Sequence, residues 1–191
     1  MAKPKGFQKG LPNVPRTFDR ATGKPLTALA YTTYMARGFV AVDPGAKCGL
    51  AFFDENRELV GVTCVDHEQA LSDVRAHGGL VICELPRVYP MQASRVDPND
   101  LIVLALKVGH ITAHARAYVL PEPAQWKRQA TKEITAQRSV AALLGVERAR
   151  CANFIQGAAE SYMHNGLDAL AIGLWALGRV DFGAKSPLSL L

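Results

Sequence analysis

Short apolar runs alternate with polar, turn-forming stretches along this chain. Phe39–Asp43, Cys48–Phe53 and Leu59–Val65 are rich in Val, Leu, Phe and Ala. The last two are split by "DENRE" (54–58). Runs this short, bounded by turn residues, predict three strands in an antiparallel meander. The spacing predicts a helix over Asp66–His77, with Ala70, Leu71 and Val74 on one face and Gly78-Gly79 as its stop. Leu80–Glu84 reads as a fourth strand. Residues 86–98 contain three prolines and read as a loop. Asn99 or Asp100 can cap a long helix running to about Tyr118, and "AYVLPEP" gives a fifth strand closed by prolines. Helical patterns follow at about Lys132–Leu144, Glu147–Ile155 and Gly166–Leu177. A short helix is predicted near Pro25–Ala36. The order β-β-β-α-β-α-β-α-α-α predicts an α/β domain with helices packed on a mixed sheet.

Composition sets few further limits. The chain has 191 residues, 49% of them hydrophobic and 20% charged, which suits one globular domain with a real core. No apolar run approaches membrane-spanning length, and the N-terminus lacks the apolar segment of a secretory signal. Cys48, Cys64, Cys83 and Cys151 have no CxxC spacing and read as small core residues in a reducing compartment, so a cytoplasmic location is expected. Charge is unevenly spread. Residues 1–38 carry seven Lys and Arg against Asp19 alone, a net +6 in a chain whose formal charge is +5. This arm is rich in Pro and Gly up to Pro25, so little regular structure is expected there, and a polyanion is its natural partner. A merely solubilising tail would look the same.

Three carboxylates sit where the pattern calls for apolar residues. Asp43 ends the first strand in "VAVDPG", and Glu84 ends the fourth in "LVICELP". Asp is depleted in strands and rarely buried without a partner. Asp-Pro-Gly is also good turn chemistry, which is the ordinary reading of Asp43. Were the two strands neighbours, the carboxylates would meet at one sheet edge and raise each other's pKa, a strain that a divalent cation bound through oxygen ligands relieves. Asp168 lies in "NGLDALAIGLWALG". Its ordinary reading is a first-turn acid in a helix capped by Asn165.

Taken together, these stretches resemble the RuvC-like Holliday junction resolvases of the ribonuclease H-like superfamily. "VAVDPGAKCGLAFFD" is similar to the family's first hairpin, "LVICELP" to its fourth strand, and "NGLDALAIGLWAL" to its last helix. "LALKVGHITAHARA" and "PAQWKRQATKEITAQRSVAALLG" resemble the segments between them. The resemblance covers about Phe39–Arg179. It implies a ribonuclease H-like fold with a five-stranded mixed sheet, the first three strands antiparallel, and helices on both faces. With the basic arm (1–38) set off by its charge, the resemblance places a nuclease domain at 39–180, followed by a C-terminal tail (181–191).

The activity implied is metal-dependent cleavage of branched DNA, above all four-way junctions, by a C2 homodimer making paired nicks. Asp43, Glu84 and Asp168 would be the catalytic acids, holding two Mg²⁺ ions about 3.5–4 Å apart, with Mn²⁺ able to substitute. Where the family carries a further Asp or His, this chain has Asn165, with His164 beside it; either is a candidate fourth ligand. Lys127, Arg128, Lys132 and Arg138 are expected along the DNA path. Arg87 and Tyr89 stand where bacterial enzymes place an aromatic wedge. Other readings stay open: a flap, fork or RNA-processing nuclease on the same fold, a DNA-binding module without catalysis, or an actin-like ATPase fragment. His110 and His114 have zinc-compatible spacing but no visible further ligands. Trp126 could be a core anchor or a base-stacking surface. Trp175 reads as core or dimer interface.

Overall fold

The computed structural model describes residues 15–87, 97–182 and 186–187. Its strands are β1 (Arg16–Asp19), β2 (Phe39–Pro44), β3 (Cys48–Phe53), β4 (Leu59–Val65), β5 (Leu80–Cys83) and β6 (Ala117–Leu120). Its helices are α1 (Ala28–Met35), α2 (His67–His77), α3 (Pro98–Ala113), α4 (Pro123–Trp126), α5 (Lys132–Ala141), α6 (Gly145–Gly157) and α7 (Glu160–Ala176). The sheet runs β1-β6-β5-β2-β3-β4. β2, β3 and β4 form the expected antiparallel meander, and β2, β5 and β6 are mutually parallel. This is the mixed α/β arrangement anticipated for a ribonuclease H-like domain, with six strands instead of five.

The extra strand comes from the segment expected to lack structure. β1 pairs antiparallel with β6, and the Phe18 ring stacks on Tyr118 at 5.6 Å. Its last residue, Asp19, is buried and accepts hydrogen bonds from Tyr34 Oη (3.1 Å) and the Ala21 N–H (2.9 Å). α1 lies where the short helix was predicted. Its N-cap is Thr27, and Tyr31 Oη donates to the Ala176 carbonyl at 3.2 Å. Residues 16–38 therefore belong to the folded body.

Two helix boundaries also depart from expectation. α3 begins at Pro98, capped by the Asp97 side chain, because Pro at the first helical position needs no N–H partner. It ends at Ala113, before β6. α7 begins at Glu160, six residues earlier than predicted, so Asn165 is no cap and Asp168 sits mid-helix. The first-turn explanation of Asp168 is thereby removed.

Side-chain alternation sorts the core into two layers. Phe39, Ala41, Leu80 and Ile82 pack on one face with α7 and α1. Val40, Val42, Val81 and Cys83 pack on the other with α2 and α3. Helices thus cover both faces. Trp175 is fully buried within the first layer. Cys48, Cys83 and Cys151 are buried and Cys64 half-buried, all four as free thiols. A buried ion pair fixes the far end of the sheet. Glu147, fully buried, accepts from Arg179 through both oxygens (2.8 and 2.6 Å) and from the Leu59 and Leu144 N–H groups (both 2.7 Å). Burial alone would push its carboxyl up, but Arg179 and the two N–H donors outweigh that and hold it at about 2.

α7 lies against β3 without a side chain between them at Gly49. A Cβ there would stand 2.0 Å from the Asn165 carbonyl oxygen and 2.7 Å from the Gly166 nitrogen. Backbone atoms cannot move aside as a flexible side chain could. Gly49→Ala should therefore cost about 3 kcal/mol, the upper end for overpacking. A lowered denaturant midpoint at unchanged m-value is the expected reading, and an unchanged midpoint would show that α7 can lift without penalty.

Candidate active site

The strand alternation that builds the core also aims two carboxylates. Asp43 continues the parity of Phe39 and Ala41, and Glu84 that of Leu80 and Ile82, so both belong to the α7 face. β2 and β5 are parallel neighbours with Val42 opposite Cys83, and the Glu84 N–H donates to the Val42 carbonyl at 3.0 Å. Asp43 and Glu84 thus leave adjacent strands at their C-terminal ends, the usual place for ligands in an open α/β sheet. α7 brings Asp168 over the same spot, only 7% exposed. Burial raises the Asp43 pKa well above the ordinary carboxylate range, and Glu84 and Asp168 raise it further; Lys127 and Lys132 pull against them. Burial also raises Glu84, opposed by Lys127 and by the Trp126 hydrogen bond.

Lys127 stands among the three acids. Its Nζ is 3.5 Å from Asp168 Oδ2 and 3.7 Å from Glu84 Oε2. Burial would lower its pKa, but Glu84, Asp168 and Asp43 together raise it. Trp126 anchors the group. Its ring is fully buried, edge-on to Phe182, and its Nε1 donates to Glu84 Oε2 at 2.7 Å. The Lys127 ammonium lies 4.7 Å from the same ring centre. Trp126 is therefore a core anchor that also orients one acid. The sequence signal for α4, which carries it, is Pro123 at the first helical position.

The other anticipated residues divide. Lys132 is exposed at the start of α5, and its charge reaches Asp43. Arg128 is exposed beside Lys127, with a left-handed backbone (φ 49°). Arg138 is exposed at the far end of α5 and donates to the Asp181 carbonyl at 3.2 Å. Arg87 pairs with the buried Glu122. Tyr89 lies outside the described residues, as do the first fourteen residues and most of the C-terminal tail. His164 is half-buried on α7, one turn before Asp168. Asn165 is buried, and its Nδ2 donates to the Lys47 carbonyl at 2.6 Å, tying α7 to the β2–β3 turn. Lys107 of α3 holds the same turn from the other side, donating to the Gly45 carbonyl at 3.0 Å. Sequence reasoning missed that clamp, since nothing local to Lys107 marks it. His110 and His114 have separate neighbours, His67 Nε2 at 3.4 Å and Arg75 at 3.3 Å.

Three carboxylates offer hard oxygen donors, the chemistry that Mg²⁺ and Mn²⁺ require. Among the described residues, however, no group of three His, Cys, Asp or Glu side chains is spaced to hold a metal ion as it stands. The cluster is closed on an ammonium instead. Asp43, Glu84 and Asp168 fit a divalent cation by donor type and by their uncompensated charge, since one lysine faces three acids.

No family model matches the chain, and no curated protein matches it. Among solved structures, it is similar to Thermus thermophilus RuvC in complex with a Holliday junction substrate, at 13% identity over 72% of this chain and 90% of that one, with a TM-score of 0.40. It is likewise similar to a second Thermus thermophilus RuvC structure, at 14% identity over 74% and 97% of the two chains, also with a TM-score of 0.40. Likeness at this level carries no weight for the activity. No described helix is long and apolar enough to cross a membrane.

The pKa direction at Asp43 sets a stability expectation. Its folded pKa lies above its unfolded value, so below about pH 3.8 it adds no penalty. As pH rises through the folded value, the unfolded chain binds fewer protons than the native one, and stability falls. In chelator, Asp43→Asn should be more stable than wild type at pH 7 by about 1 kcal/mol or more, read as a melting point ~2–4 °C higher. The advantage should vanish near pH 3. A variant less stable at pH 7 would show that Asp43 is well compensated.

Proposed function

We propose that this protein is a metal-dependent, structure-selective endonuclease acting on branched DNA, with the four-way junction as its foremost substrate. One observation carries the reading: carboxylates from two adjacent parallel strand ends and a mid-helix position converge beside a lysine, Asp168 buried and Asp43 and Glu84 half-buried. No turn or cap explanation survives for Asp168. Preference for the four-way junction draws on the motif resemblance. Asp43, Glu84 and Asp168 would hold a pair of Mg²⁺ ions. When bound, these supply Lewis acidity at the phosphodiester and activate the attacking water. Trp126 keeps Glu84 in its rotamer through the indole N–H. Asn165 and Lys107 hold the turn that follows Asp43. Lys132 and Arg128, exposed next to the cluster, would meet backbone phosphates, which position DNA without reading bases. Ile102, Val103 and Leu106 of α3 are each more than half exposed and offer an apolar surface for a second copy in a homodimer. The rival reading, a DNA-binding module without catalysis, draws on the place of Lys127 among the acids.

A cleavage panel of four-way, flap, fork, duplex and RNA substrates in Mg²⁺ separates these readings. Paired nicks in the four-way junction are expected from wild type. Asp43→Asn should lose cleavage by at least about 10³-fold while binding the junction as before, because it disables the acids without touching the basic surface. Binding without any cleavage by wild type, in Mg²⁺ or Mn²⁺, would establish the rival.

The arm can be tested separately. Because residues 16–19 form β1, a clean deletion stops at residue 14 and removes Lys3, Lys5 and Lys9. Each phosphate contact adds about 0.9 to the slope of log affinity against log salt, so the slope should flatten by up to about 2.7. An unchanged slope would mean that these lysines serve solubility alone.

A further inference from the structure

The acid cluster already contains a cation, and it belongs to the chain. Lys127 Nζ sits 3.5 Å from Asp168 and 3.7 Å from Glu84, with only 21% of its side chain exposed. Both distances exceed the 2.7–2.9 Å typical of a charge-assisted hydrogen bond. The ammonium is thus shared between two carboxylates and locked onto neither. The same ammonium already lies over the face of Trp126, 4.7 Å from the ring centre, so it keeps a cation–π partner when the carboxylates release it. Trp126 is itself immobile, fully buried and bonded to Glu84.

We propose that Lys127 is the resident counter-ion of the acid cluster, and that a divalent cation enters by displacing its ammonium from the carboxylates toward the open rim, with the Trp126 face retained as its partner. The inference rests on the metal-dependent reading of this site. A dication and an ammonium a few ångströms apart repel in a partly buried site, so they compete for the three carboxylates. Without a metal, Lys127 keeps the acids gathered against their mutual repulsion. With one, it is released and becomes available to a phosphate oxygen at the rim. Lysine suits the role because its charge is compact and its four-carbon stem flexible, so the ammonium can exchange partners. The linkage is reciprocal: if metal expels Lys127, then Lys127 weakens metal binding.

The test is Mn²⁺ binding by titration calorimetry on the full chain, with circular dichroism to confirm the fold. Wild type is compared with Lys127→Met, Lys127→Gln, Lys127→Arg and Asp43→Asn. Lys127→Met should bind Mn²⁺ about tenfold more tightly or better, and Lys127→Arg close to wild type. Lys127→Gln keeps hydrogen bonding to the carboxylates without the charge, and should follow Lys127→Met if that variant folds poorly. In chelator, both neutral variants should melt below wild type, and Mn²⁺ should raise their melting points more than it raises that of wild type. Equal or weaker Mn²⁺ binding by the neutral variants, while Asp43→Asn still abolishes binding, would overturn the inference and leave the metal reading intact. So would Lys127→Arg binding as tightly as Lys127→Met, because charge would then not be the cause. Binding that Asp43→Asn leaves unaffected in every background would remove the metal reading and the inference with it.

Discussion

α7 rests on the sheet with backbone against backbone at Gly49, and the geometry of the acid cluster depends on that closeness. Side chains normally fill the gap between a helix and the sheet it covers. Here Gly49 removes the spacer, and Gly173 makes room on the helix for the Phe53 ring of β3. The helix can then carry Asp168 down to the level of the strand ends. It also lets Asn165 reach the Lys47 carbonyl, so the turn after Asp43 is held by the same helix that supplies the third acid. One packing distance therefore sets both the cluster and its rim.

That arrangement opposes local stability. Three acids face Lys127 at close range, with exposed Lys132 assisting from further off, and Asp43 is driven toward its protonated form by burial and by its two neighbours. Elsewhere the molecule treats a buried carboxylate differently. Glu147 receives two bonds from Arg179 and two from backbone N–H groups, and its pKa falls to about 2. Burial weighs on both carboxylates, yet one is saturated with donors and the other faces like charge. Under-compensated acids of this kind mark places where a protein accepts strain in exchange for chemistry.

Much of this was legible in the sequence. The parity of "VAVD" and "LVICE" places Asp43 and Glu84 on the same face once their strands are parallel neighbours, and the apolar runs showed where those strands lie. Asp168 was harder to interpret, because "HNGLD" contains a good local cap, and α7 overrides it by starting at Glu160. Tertiary packing on β3 prevailed over local capping chemistry. β1 was hidden because Pro and Gly dominate the arm around it, and a four-residue edge strand exists only through its pairing with β6. The hold of Trp126 on Glu84, and of Lys107 on the β2–β3 turn, joins residues 42 and 62 positions apart. No local pattern records contacts at that separation.

The indole of Trp126 has a further consequence. It is one of only two tryptophans in the chain, and the other, Trp175, is sealed in the core away from solvent. Its N–H touches a carboxylate of the cluster and its ring lies beside the lysine ammonium. The electric field across that ring must change whenever the cluster gains or loses charge. A chromophore is thus coupled to the acid cluster, and its ultraviolet emission can report changes of charge there without any added label.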